Sequence, residues 1–108
     1  MDYLQIAVAE TDAFAKAAVE AFTSEEVDSL KSYLSYFPEA GTKIPGGGGI
    51  RKLRWRAKGK GKRSGARVIY YYRNDRYPIL LLTVFTKERK ADLTPFDLKI
   101  LRRIVDEF

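Results

Sequence analysis

Positive side chains are concentrated in one stretch of this sequence, and their spacing suits binding to phosphate. Nine of the seventeen residues at positions 51–67 are Lys or Arg, and none is acidic. Basic and apolar residues alternate at first, so a strand would place Lys52, Arg54 and Arg56 on one face. A second predicted strand carries Arg67 on the corresponding face. The pair of strands therefore predicts a row of cations on one side of a sheet and an apolar row on the other.

RNA can be cleaved without a metal ion if its own 2′-hydroxyl attacks the adjacent phosphorus, and the residues of this stretch can be compared with what that reaction needs. The enzyme must orient the hydroxyl, accept its proton and stabilise charge on the phosphoryl oxygens. Guanidinium groups stay charged and bind phosphate in a fork, which favours Arg54 and Arg67 for the last task. Arginine is a poor base, so Lys52 becomes a candidate base if neighbouring cations disfavour its protonated form. Tyr71 shares the Arg67 face and is a candidate for base stacking or proton transfer, or for sheet packing.

The connection between the two strands alternates Lys with Gly. Its basic side chains are expected to contact backbone phosphates without selecting a sequence. The alternative is that they only solvate the tip of the hairpin. These residues are Lys58, Lys60, Lys62 and Arg63. Glu88 and Asp92 lie among basic residues and are expected to form surface pairs rather than a Mg²⁺ site. The sequence therefore predicts neither a metal site nor a cofactor.

Composition narrows the function classes. The 108 residues contain no Cys and no His, which excludes disulfides, thiolate metal sites and the usual general base. Residues 1–42 hold eight acidic and two basic residues, for −6, whereas residues 43–108 hold eighteen basic and six acidic, for +12. A single domain over residues 1–108, located in the cytoplasm and attracted to a polyanion or an acidic protein, is the expectation.

The elements that must position these cations follow from periodicity and capping signals. The predicted order is β-α-α-β-β-β-α, with strands over 4–9, 50–56, 66–73 and 79–85 and helices starting at Thr11 or Asp12, at Thr23 and at Thr94. Apolar residues at helical spacing in two of these helices are predicted to face the core. They are Val27, Leu30, Leu34 and Phe37 in the second helix, and Phe96, Ile100, Leu101, Ile104, Val105 and Phe108 in the last. This pattern is typical of an α+β domain with helices packed on an antiparallel sheet.

Three runs resemble the RelE/ParE superfamily of bacterial toxins, and most of all its HigB-like branch. They are IPGGGGIRKLRW at 44–55, GKGKRSGARVIYY at 59–71 and LLTVFTKERKADL at 81–93. The likeness covers about residues 40–105, and the second run is the most specific part of it. The resemblance implies a RelE-like fold in which two N-terminal helices and a C-terminal helix pack on the sheet.

The resemblance also implies a toxin of a type II toxin–antitoxin module that enters the ribosomal A site and cleaves mRNA there. Its partners would be the ribosome, mRNA and an antitoxin with a helix-turn-helix domain, with operator DNA contacted only through the antitoxin complex and no membrane contact. The implied catalytic residues are Lys52, Arg54, Arg67 and Lys87. Arg89 is the alternative to Lys87. If Arg89 is not catalytic, it is expected to contact RNA, as Arg56 is. Some relatives carry a catalytic tyrosine where this sequence has Thr94 and Phe96, which leaves the proton-transfer group unassigned.

Two other functions remain open at this point. A ParE-type toxin would bind DNA gyrase without cleaving RNA, and a plain nucleic-acid-binding module would not be an enzyme. Cations aligned on adjacent strands favour mRNA cleavage, because gyrase binding gives no reason to gather Lys52, Arg54 and Arg67 on one face.

Overall fold

The computed structural model describes residues 5–58 and 65–108, which form three helices and a five-stranded mixed sheet. The predicted α+β class is confirmed. The elements in chain order are β1 (Val8–Glu10), α1 (Asp12–Ala21), α2 (Ser24–Tyr36), β2 (Thr42–Lys43), β3 (Ile50–Trp55), β4 (Ala66–Tyr71), β5 (Ile79–Thr86) and α3 (Pro95–Asp106).

The sheet has the strand order β1-β5-β4-β3-β2 and departs from the prediction at its two edges. The three central strands form the predicted antiparallel meander. β1 instead runs parallel to β5, with Val8 opposite Ile79, so the prediction of a wholly antiparallel sheet is wrong. The intervening helices and strands provide the long connection that a parallel pair requires. β2 pairs with β3 inside a segment predicted as loop, which adds one strand to the expected order.

Helices α1 and α2 cover one face of the sheet. Both begin as the sequence predicts: the Thr11 side chain accepts the N–H of Phe14, and Thr23 and Glu26 form a capping box. Their apolar residues join those of the central strands in one core that includes Phe14, Leu30, Leu34, Val68, Tyr70 and Leu81. Phe37 is an exception, because it follows the end of α2 and is exposed, so its predicted core role is wrong.

Helix α3 lies on the opposite face. It starts with the predicted capping box between Thr94 and Asp97. Leu101 is buried against a small apolar cluster of the sheet, with partly buried helix residues beside it. That cluster has only five buried members among the described residues, so it covers only one row of apolar side chains on α3. Three residues predicted to face the core are therefore exposed instead, namely Phe96, Ile100 and Phe108.

Tyr70 anchors the segment between α2 and β3. Its buried hydroxyl donates to the carbonyl of Pro38 and accepts the N–H of Gly41, both at 2.8 Å. A Cβ at Gly41 would lie 2.8 Å from the Tyr70 ring, so this close approach requires glycine. Arg51 adds a 2.7 Å bond to the Gly41 carbonyl. These bonds hold β2 beside β3. No helix within residues 5–58 and 65–108 is long and apolar enough to cross a membrane.

Candidate functional site

The pairing of β3 with β4 gathers three cations on the side of the sheet that carries α3. Arg54 lies directly opposite Arg67, and Lys52 lies opposite Ile69. The next residues along each strand, Leu53 and Val68, point into the core under α1 and α2. The predicted division of the two strands into a basic and an apolar face is thus confirmed. Lys52, Arg54 and Arg67 are called the cationic face below.

Arg67 is the buried member of the cationic face. It lies in the middle of the sheet, between Arg54 on β3 and Phe85 on β5, and only 5% of it is exposed. Burial lowers the pKa of its guanidinium from the ordinary value, the neighbouring charge of Arg54 lowers it further, and Asp92 acts in the opposite direction. A charge in such a setting is poorly screened, so it interacts more strongly with an approaching anion than a surface arginine does.

Lys52 is engaged by a carboxylate. Its Nζ lies 3.1 and 3.2 Å from the two side-chain oxygens of Asp92. The pKa of Asp92 is lowered by a hydrogen bond from the Leu93 backbone N–H, and next by the bond from Lys52; Arg67 contributes at longer range. The prediction of a base at Lys52 assumed only cationic neighbours, whereas the group bound to its amino nitrogen is a carboxylate.

An open cavity adjoins the Lys52–Asp92 pair. Its volume is about 470 Å³, and its walls are the pair itself, β2 with the residues that follow it, and the first turn of α3. That volume falls in the range of about 300–1,000 Å³ that is typical of ligand sites. Lys43 of β2 also lines the cavity. A phosphodiester or nucleoside has room here beside the cationic face.

Some predicted residues lie away from this site. Arg89 pairs with Glu20 of α1, with Nη2 and the carboxylate 2.9 Å apart. It lines a second cavity, of about 480 Å³, together with Lys58 and residues of α1. Lys58 has a positive φ of 43°, and its backbone N–H donates to the Glu26 carboxylate at 2.8 Å. Arg89 and Lys58 therefore belong to the α1 side of the molecule and are not brought to the cationic face.

The remaining predicted residues divide into three groups. Lys87 and Arg56 are exposed, the first in the turn after β5 and the second just past β3. Tyr71 lies opposite Ile50, half-buried in the cluster beneath α3, and its ring would be 3.0 Å from a Cβ at Gly49. This environment favours sheet packing for Tyr71 over base stacking. The prediction of loop phosphate contacts by Lys60, Lys62 and Arg63 lies outside the described residues.

Sequence reasoning identified Asp92 as a member of a surface ion pair but did not identify its partner. A surface pair was expected of it, and a surface pair is present, but with a member of the cationic face. The usable signal is local: Asp92 stands two residues before the Thr94 cap, so the start of α3 fixes its position. Alternation within β3 carries no information about a partner forty positions further along the chain.

Taken together, the site holds one buried guanidinium, one exposed guanidinium and one ammonium on adjacent strands, next to a cavity. It suits the binding of a phosphodiester and the stabilisation of negative charge on phosphoryl oxygens. Within the described ranges, no group of three acidic residues is placed to hold a metal ion. No protein-family model matches this sequence, so the functional conclusion depends on the chemistry of these side chains.

Proposed function

We propose that this protein is a RelE-like toxin of a type II toxin–antitoxin module, which cleaves mRNA in the ribosomal A site and so inhibits translation. The observation that carries the proposal is the Arg54–Arg67 pair across β3 and β4, with Lys52 two residues further along the same face. Two guanidinium groups and an ammonium on one face suit the binding of an RNA backbone, because each can contact a phosphate oxygen. Sheet stability does not require like charges opposite one another, and such pairs are unfavourable.

In the proposed reaction, the 2′-hydroxyl of one nucleotide attacks the adjacent phosphorus while Arg67 and Arg54 stabilise the developing charge on the phosphoryl oxygens. Arg67 contributes most, because its charge is desolvated before substrate arrives. Lys52 binds a neighbouring backbone phosphate. The 2′-hydroxyl proton leaves and the 5′-oxygen receives a proton, so that a cyclic phosphate and a free 5′-hydroxyl result.

The weak point of such a site is proton transfer, and this supports dependence on the ribosome. General acid–base catalysis contributes on the order of 10²–10⁴-fold, and the cationic face consists of two arginines and a lysine that is bound to a carboxylate. Holding the reacting groups in line can be worth about 7–11 kcal/mol. The A site would supply that alignment by presenting the codon in a bent form, while the protein supplies charge stabilisation.

The proposed partners are the ribosome with its mRNA and an antitoxin that carries a helix-turn-helix domain. Charge supports the second partner: residues 43–108 carry +12, which is a strong target for an acidic antitoxin segment. Operator DNA would then be contacted through the antitoxin complex.

A non-catalytic RNA-binding module is the second candidate function. The contact that favours it is the Lys52–Asp92 pair, in which the candidate base of the cationic face is already bound to a carboxylate. Such a module would occupy RNA or the ribosome without cutting it.

The deciding experiment compares one mRNA, free and in a programmed 70S complex, by primer extension with and without the protein at equal salt. Cleavage within the A-site codon, absent from free mRNA, is the result we expect. Equal cleavage of both would contradict ribosome dependence. Binding to the complex without cleavage would establish the second candidate. If the protein neither bound nor cleaved the mRNA, RNA would be excluded as the target and gyrase inhibition would be the next function to test.

A further inference from the structure

Asp92 is bound to Lys52, the residue to which the proposed function assigns a backbone phosphate. Its two carboxylate oxygens lie 3.1 and 3.2 Å from Lys52 Nζ, so it binds the ammonium through both oxygens, as a phosphate does. The Lys52 and Asp92 side chains are 34% and 60% exposed, so the pair faces solvent rather than the core. An incoming anion can therefore reach it.

The loop before α3 holds Asp92 there without help from Lys52. Asp92 Oδ1 accepts the backbone N–H of Leu93 at 2.8 Å, and the Thr94–Asp97 capping box fixes the helix start immediately afterwards. The local structure of the loop therefore fixes the position of the Asp92 carboxylate. Its charge also acts on Arg67, since each of the two groups shifts the pKa of the other.

We propose that Asp92 is a specificity-determining residue: its carboxylate is an internal substitute for phosphate, and the backbone of single-stranded RNA must displace it from Lys52. This inference rests on the proposed function, because it takes RNA as the substrate. A tethered carboxylate acts at an effective concentration in the millimolar range or above. A free phosphate ion gains one contact and competes poorly with it. A strand that also binds Arg54 and Arg67 gains several contacts at once and does displace it.

Displacement has a measurable cost. An exposed ion pair of this kind is worth up to about 1 kcal/mol, which corresponds to roughly fivefold in affinity. Removing the carboxylate charge should therefore strengthen RNA binding about two- to fivefold. It should also steepen the salt dependence, because Lys52 then holds mobile counterions that RNA releases; one more released ion changes the logarithmic slope by up to about 0.7.

The test is Asp92→Asn in the full chain, titrated with a fluorescent single-stranded RNA oligonucleotide at several salt concentrations. Asparagine keeps a side-chain oxygen for the Leu93 N–H, so the loop is expected to stay intact, and thermal melting verifies this. Asp106→Asn is the matched control, since it removes the same charge from the far end of α3. Asp92→Asn in a Lys52→Gln background provides the second comparison.

We expect Asp92→Asn to bind RNA two- to fivefold more tightly than Asp106→Asn, and at least half of that gain to vanish in the Lys52→Gln background. Equal affinities of the two asparagine variants would overturn the inference while leaving RNA binding in place. Weaker binding by Asp92→Asn would also overturn it, because Asp92 would then orient Lys52 rather than compete for it. If no variant bound the oligonucleotide, the inference would fail, because it takes free single-stranded RNA as the competitor, whereas the proposed function would still be decided by the 70S comparison.

Discussion

Burial divides the two arginines of the cationic face, and it predicts that they contribute unequally to activity. Arg67 is 5% exposed and lies between two strands, whereas Arg54 is exposed on β3. We expect Arg67→Met to lower the rate of mRNA cleavage in programmed ribosomes far more than Arg54→Met does. Methionine is unbranched and fills the space of the arginine stem, so the change removes the charge while leaving little empty volume.

The expected magnitudes follow from the dielectric surroundings. Removing a desolvated donor to a developing oxyanion costs about 2.7–4 kcal/mol, or 10²–10³ in rate. An exposed charge contributes up to about 1 kcal/mol, so Arg54→Met should cost about fivefold or less. Stability should respond much less than the rate. Like charges directly opposite one another on adjacent strands are unfavourable, so Arg67→Met removes the repulsion from Arg54 and should melt near the temperature of the unmodified protein.

The assay pairs single-turnover cleavage rates with thermal melting, and Arg76→Met, an exposed cation in the turn between β4 and β5, serves as the control. Equal rate losses for Arg54→Met and Arg67→Met would refute the argument from burial. A fall in melting temperature of more than about 4–8 °C for Arg67→Met, corresponding to about 1 kcal/mol, would show instead that Arg67 stabilises the fold.

Two tyrosines give further predictions. Tyr70→Phe should lower the free energy of unfolding by about 1–3 kcal/mol in a urea titration, because it leaves two buried backbone groups without their hydroxyl partner; Tyr36→Phe, at the exposed end of α2, should change little. The hydrogen bond from Tyr72 to Asp75 raises the pKa of the Tyr72 phenol to about 12, so one tyrosine should titrate about two units above the ordinary value near 10 in an ultraviolet pH titration. Because the unfolded chain loses that proton first, stability should fall as pH rises from about 10 to 12. Asp75→Asn should move the midpoint downwards, and an unchanged midpoint would contradict this cause.

The central strands of the sheet could be predicted from the alternation of side chains along the sequence. β3 and β4 repeat every two residues, so the faces of Lys52, Arg54 and Val68 followed directly from strand geometry. The capping boxes at Thr23 and Thr94 were equally local, since their partners lie three residues away. Strand faces and helix caps depend on residues close in sequence, and both were therefore predictable.

Contacts between distant segments were not predictable from periodicity. β2 has only two residues, which carry no detectable alternation. The parallel pairing of β1 with β5 depends on how the helices cross the sheet. Phe96 and Ile100 have the spacing of core residues, but the apolar cluster beneath α3 is too small to cover them. The Lys52–Asp92 pair likewise joins segments that only the folded sheet brings together, which is why Lys52 was considered as a base.

The strand order also has a consequence for the sequence of folding events. β3, β4 and β5 follow one another and pair as neighbours, whereas β1 must reach β5 across most of the chain. Closing the short connections first costs less entropy, so the meander is expected to precede the docking of β1 and its helices. We expect the hairpin of β3 and β4 to place Arg54 opposite Arg67 first, and the pairing of β5 to place Phe85 beside Arg67 afterwards. The spacing of the two charges would then be set before Arg67 becomes fully buried.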